Sequence, residues 1–177
     1  MNEIPIWILI SAVGILILLS AFFSSSETSM MAINRYRLRH LVNKKDKDAR
    51  RVSKLLDRTD QLLGVILIGN NFVNILASVI TTIIAIRIWG DVGLIYVTIA
   101  LTIIILIFAE VTPKTIAALK PDSIAFPAAY ILRPLLKILF PLVSLIGLIS
   151  NTITKMVGIN PEKSLNEELS YDELKTI

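Results

Sequence analysis

The chain has 177 residues, 54% of them hydrophobic and only 18% charged, with a mean hydropathy of +0.71. Soluble domains sit near about 45–50% apolar and about 25% charged, so composition excludes an ordinary soluble domain and indicates a membrane protein. There is no cysteine, which excludes disulfides and thiolate metal sites, and ten of the 18 Lys and Arg fall between Arg35 and Arg58.

Residues 4–23 (IPIWILISAVGILILLSAFF) form the first apolar run, about 30 Å as a helix and enough to span a hydrocarbon core. Glu3 precedes it in place of a basic leading segment, and no A-x-A site follows, so it reads as a span and not as a cleavable leader. Ser24, Ser25, Ser26 and Glu27 come next, then the basic block. With apolar positions at Leu38, Leu41, Val42, Val52, Leu55 and Leu56, the block reads as an amphipathic helix pair. Within 34–60 it is expected to be a solvated cytoplasmic connector that sets topology, with no nucleic-acid role.

Residues 62–88 form a second span, with Gly64, Gly69, Asn70, Asn71 and Asn74 in its first half and Trp89, Gly90 and Asp91 as an interfacial turn at its end. Residues 93–109 form a third, followed at once by EVTPKT. A basic connector on the cytoplasmic side places the N-terminus and the Trp89 turn outside and the end of the third span inside. The fourth apolar region, 123–157, is interrupted by Pro127, Arg133, Pro134, Lys137 and Pro141. Crossing the membrane would bury Arg133 and Lys137, so a re-entrant or interfacial helical hairpin is expected there. The transmembrane domain is thus 1–159, and 160–177 reads as the start of an acidic cytoplasmic helix that stops in mid-pattern. The fold class is an all-α membrane protein with three transmembrane helices, the hairpin, and a cytoplasmic C-terminus.

The polar residues in these spans have a pattern. Steps of four and three place Ser20, Ser24 and Glu27 on one stripe of the first helix, and Asn70 and Asn74 share a face of the second. Glu110 ends the third span, and Pro113 has no N–H to offer the carbonyl of Ala109. All three groups fall at similar depth on the cytoplasmic side. Hydroxyls, amide oxygens, a freed carbonyl and one or two carboxylates form a hard oxygen set suited to Na⁺, Mg²⁺ or Ca²⁺. An ionisable residue inside a membrane costs about 2.5–3.5 kcal/mol on insertion scales, which makes it a functional residue by default. Catalysis is not expected: His40, the sole histidine, lies in the basic block, and no H-E-x-x-H motif occurs.

FFSSSETSMMAINRYRLRHL, LIGNNFVNI and AEVTPKTIA, in this order, closely resemble the transmembrane domain of the CNNM/CorC (cyclin M, CorC/CorB) magnesium transport proteins. The resemblance implies a homodimer in the plasma membrane with an inward-open acidic cavity, exporting Mg²⁺ in exchange for Na⁺. It implies Ser20, Ser24, Asn70 and Glu110 as cation ligands, completed by backbone carbonyls around Ala109 and just after Lys114. Glu27, Ser25, Asn74, Ala109, Lys114 and Ile116 are further candidates to line the cavity. Two departures stand: Ala109 replaces a glycine found in many relatives, and animal members carry asparagine at the position of Glu27. Relatives continue into cytoplasmic CBS modules that bind ATP-Mg²⁺, which would lie outside this chain. The alternative function is a dimeric membrane anchor or sensor for those modules, with a structural ion.

Overall fold

The computed structural model describes residues 4–156, and the acidic stretch 160–177 lies outside the described residues. The described elements are helices in the order α1 (Ile6–Ala32), α2 (Arg35–Asn43), α3 (Lys47–Leu56), α4 (Thr59–Trp89), α5 (Gly93–Ile104), a π-helical segment (Ile105–Val111), α6 (Thr112–Leu119) and α7 (Pro121–Met156). No strand occurs among the described residues. Three stretches are long and apolar enough to cross a membrane: Ile6–Ala32, Thr59–Leu119 and Pro121–Thr154.

The apolar run of the first span stops at Phe23, but α1 does not. Ser25 and Ser26 both donate to the Phe22 carbonyl, and Ser29 donates to that of Ser26. Hydroxyls that bond back onto the preceding turn need no outside partner, so a serine run can remain helical at membrane depth. The helix ends at Ile33, whose extended backbone (φ −63°, ψ 136°) redirects the chain. The Asn34 side chain then accepts from the N–H groups of Tyr36 and Arg37 and starts α2, as Asp46 does for α3 through Asp48 and Ala49.

The middle stretch has 61 residues, about 90 Å if straight, or roughly three times a hydrocarbon core. It is folded in two at Gly90, where φ is +66°. Only glycine adopts that conformation without cost. The two arms run antiparallel, since Ser78, Thr81, Thr82 and Ala85 of α4 share a cavity of about 80 Å³ with Leu94, Val97, Thr98, Leu101 and Thr102. α1 runs antiparallel to α4 in turn. Arg87 donates to the Ile4 carbonyl at 2.7 Å near one end, and Ser20 donates to Asn70 at 2.8 Å toward the other.

Phe23 and Gly69 set how closely α1 and α4 approach. A Cβ built on Gly69 would lie 2.5 Å from Cζ of Phe23, a ring only 8% exposed. Gly69→Ala is therefore expected to destabilise the domain by about 1–3 kcal/mol, as overpacking of a filled contact does. Thermal unfolding in detergent checks this, and Phe23→Leu in the same background should recover part of the loss.

The basic connector is an amphipathic helix pair, as its apolar positions predict, and one face of it is buried and not solvated. Leu38, Ala49, Val52, Leu55 and Leu56 are buried. They join one core cluster with Met30, Leu62 and Ile66, and with Ala125, Ala128, Ala129 and Leu132 from the start of α7. Helices of nine and ten residues are too short to persist alone in water, so their apolar stripes require a partner. Polar contacts fix the register. The Arg51 guanidinium lies 3.5 Å over the Tyr130 ring, and the Tyr130 hydroxyl donates to Asp48 at 2.9 Å. Arg37 pairs with Asp122 at 3.0 Å.

Pro121–Met156 is helical along its length, with Pro127, Pro134 and Pro141 inside it. Proline removes one hydrogen bond and kinks a helix, but it can be held within one. Compactness divides the chain into two units, one ending at Lys137 and the other beginning at Ile138. Large apolar side chains face outward in both: Leu18, Ile95 and Ile138 are each close to 70% exposed. A bilayer would cover such a surface.

Candidate functional site

Ser20 and Ser24 lie on the inner stripe of α1 and are fully buried. The two hydroxyls differ in what they touch. Ser20 Oγ donates to Asn70 Oδ1 at 2.8 Å, which ties α1 to α4 at the site. Ser24 Oγ is buried with no hydrogen-bond partner. Its neighbours Ser25 and Ser26 have solved the same problem by bonding back to Phe22, and Ser24 has not. A buried hydroxyl left unpaired costs about 1–3 kcal/mol. Two lone pairs and one hydrogen there are free for a ligand.

The third wall is the π-helical segment Ile105–Val111, which contains Ala109 and Glu110 and packs against α1. In this register each N–H reaches five residues back, and the Thr112 N–H bonds to the Ile107 carbonyl. The α register resumes at once, with Val111 as the cap whose carbonyl takes the first bond of α6. Three carbonyls, those of Phe108, Ala109 and Glu110, lie between these two sets of bonds. Only the N–H of Lys114 remains to serve them, because residue 113 is proline. Two backbone carbonyls in this turn therefore lack a backbone donor. Ala109 is fully buried and Glu110 partly so. Such π-helical turns commonly mark functional sites, since they expose backbone groups without ending the helix.

The remaining sequence candidates distribute as follows. Glu27, one turn beyond Ser24, faces Lys114 of α6, with Nζ 3.7 Å from Oε2. Ser25 is satisfied by its own helix. Asn74 Oδ1 is buried without a partner, and the side chain lines a groove of about 450 Å³ on α4 with Asn71, Ser78 and Thr82. Ile116 is half exposed on α6. No group of three or more His, Cys, Asp or Glu that could hold a metal occurs among the described residues. The donor set is thus mostly neutral oxygen, with Glu27 and Glu110 as its charged members. Sequence reasoning missed the π register and the Glu27–Lys114 pair. Its only signal for the first was Pro113 three residues after the acid.

Residues 11–177 match the family described as the cyclin M transmembrane N-terminal domain. The chain is 48% identical over 159 residues to the UPF0053 inner membrane protein YfjD of Escherichia coli, covering 90% of this chain and 37% of that relative. It is 41% identical over 177 residues to a UPF0053 protein of Haemophilus influenzae, covering all of this chain and 42% of that relative. A DUF21 domain-containing chloroplastic protein of Arabidopsis thaliana, At1g55930, is 34% identical over 168 residues, covering 92% of this chain and 24% of its own length. The chain therefore spans about two-fifths of the length of the two bacterial relatives. A family match over nearly the whole sequence, joined to an all-helical chain with three stretches able to cross a membrane, leads to one conclusion: the chain belongs to the cyclin M (CNNM) transmembrane domain family.

Proposed function

We propose that the chain is the ion-conducting membrane domain of a Mg²⁺ exporter, with Ser20, Ser24, Asn70 and Glu110 holding the transported ion. The observation that carries this reading is the buried, unpartnered hydroxyl of Ser24. It lies one turn from the Ser20–Asn70 bond on a helix packed against carbonyls that lack donors. A hard cation satisfies all of these groups together. Mg²⁺ binds oxygen at about 2.0–2.1 Å and gives up water reluctantly, so one carboxylate and a few fixed oxygens would hold it with part of its water shell kept.

The reading has further parts. The N-terminus is outside and the connector cytoplasmic, as its excess of Lys and Arg favours. Residues 121–137 lie along the cytoplasmic face, because Asp122 and Tyr130 hold the connector. The protein acts as a homodimer in the plasma membrane, in keeping with a relative named as an inner membrane protein. Na⁺ is the coupling ion, and cytoplasmic CBS modules follow in the full-length protein.

The test is Mg²⁺ efflux from proteoliposomes bearing the full-length protein, with and without an opposing Na⁺ gradient. Gradient-dependent flux is expected. Ser24→Ala should raise the Mg²⁺ concentration for half-maximal flux by at least about tenfold, since a hydrogen-bonding group facing a charge contributes about 1.5–3 kcal/mol. Ser26→Ala should change it less than about twofold, because Ser26 already spends its proton on Phe22. Equal effects of the two would refute the ligand assignment. Absence of flux from well-folded protein would identify the domain as an anchor with a structural ion.

A further inference from the structure

Glu27 is the sole charged residue of α1, and Lys114 is the sole charged residue of α6. The structure sets these two against each other. Glu27 lies one turn to the cytoplasmic side of Ser24 on the Ser20–Ser24 stripe, and Lys114 lies one turn past Glu110. The pair therefore spans the inner mouth of the oxygen site, with one partner from each wall. Its geometry is not that of a brace. The Nζ–Oε2 separation is 3.7 Å, and the side chains are 44% and 41% exposed. A charge-assisted hydrogen bond would measure about 2.7–2.9 Å. Exposed, unbonded ion pairs hold structures together weakly. The α1–α6 contact has other support, since the two helices pack together and Ala117 of α6 is fully buried.

We infer that Glu27 is a second cation-binding position, a vestibule site for a divalent cation on its way from the cytoplasm. The Lys114 ammonium is its tethered occupant when no divalent ion is there. This rests on the reading of Ser20, Ser24, Asn70 and Glu110 as the inner site. An arriving divalent ion brings twice the charge of an ammonium to the same carboxylate and displaces it. Lys114 then stands beside the inner site as a like charge. That weakens occupancy and keeps the ion from being trapped, while a monovalent ion at the same concentration displaces Lys114 less well. The pair thus contributes selectivity for divalent over monovalent cations at a place where the inner ligands are mostly neutral.

The test measures Mg²⁺ binding by calorimetry on the detergent-solubilised full-length protein, with flux in parallel. Lys114→Gln removes the competitor and is expected to lower the Mg²⁺ dissociation constant by at least about tenfold, because a like charge a few ångströms from the ion opposes its binding. Glu27→Gln should raise the concentration for half-maximal flux. The double variant should bind Mg²⁺ more tightly than Glu27→Gln, because a Lys114 released from Glu27 stands beside the inner site as a like charge. Unchanged or weaker binding in Lys114→Gln, with a lower melting temperature, would reduce the pair to a structural contact and overturn the proposal. Should Lys114→Gln fail to fold, Lys114→Met with the same readouts replaces it. Ser24→Ala separates the two claims. Loss of binding in Ser24→Ala without tightening in Lys114→Gln removes the vestibule site alone, whereas no binding by wild type removes the inner site too.

Discussion

Glu110→Gln is expected to abolish Mg²⁺ efflux, by at least about a hundredfold, while leaving the protein folded and its melting temperature equal or higher. Glu110 lies partly buried in the π-helical turn, and no ion pair to it occurs among the described residues. Its natural partner by spacing, Lys114 four residues on, pairs with Glu27 instead. The Glu110 charge is therefore not consumed by the fold. Beside a divalent ion a carboxylate contributes several kcal/mol even at an effective dielectric near 20, and each 1.4 kcal/mol is a factor of ten. Glutamine keeps the shape and one oxygen but loses that charge, so the loss falls on the ion and not on packing. Removing an ionisable group from membrane depth also relieves an insertion cost. Flux in proteoliposomes, read beside a melting curve, decides the matter: retained flux in Glu110→Gln would place the site elsewhere.

The spans and the stripe were legible because they rest on periodicities that tertiary context rarely overrides. Runs of some 20 apolar residues can only be buried core or membrane helix, and hydroxyls at 20 and 24 fall on one face of any helix. Asn70 on the second span was legible for the same reason, and it does meet Ser20. Other features depend on choices between near-equal partners. Lys114 has one carboxylate four residues away in sequence and another on α1, and only the packing of α1 against α6 selects Glu27. The π register adds one residue to a turn at small cost and leaves no compositional mark except the proline that follows it. The apolar stripe of the connector, with Val52, Leu55 and Leu56, was legible from its periodicity; what covers it was not, because that depends on α7 arriving from 70 residues or so further along the chain. Pro127, Pro134 and Pro141, which interrupt the apolar region 123–157 in sequence, are accommodated inside a helical element.

Pro113→Ala should separate stability from function in the opposite sense to most substitutions. Alanine restores an N–H in the one turn where Phe108, Ala109 and Glu110 together have a single backbone donor. That N–H will take a carbonyl, contributing about 0.5–1.5 kcal/mol as a new hydrogen bond, and alanine is also the better helix former. The melting temperature should therefore hold or rise. Ion binding should fall, because the carbonyl now paired is withdrawn from the set available to the cation, and because a second donor favours the α register over the π one. A register change of one residue turns Glu110 by about 100° around the helix axis and re-aims its carboxylate. The expected result is a protein at least as stable as wild type whose Mg²⁺ affinity is about tenfold weaker or worse, measured by calorimetry on the same sample as the melting curve. Undiminished affinity in a stabilised Pro113→Ala protein would show that the backbone of this turn contributes nothing to the ion. The site would then reduce to the side chains of Ser20, Ser24, Asn70 and Glu110 alone.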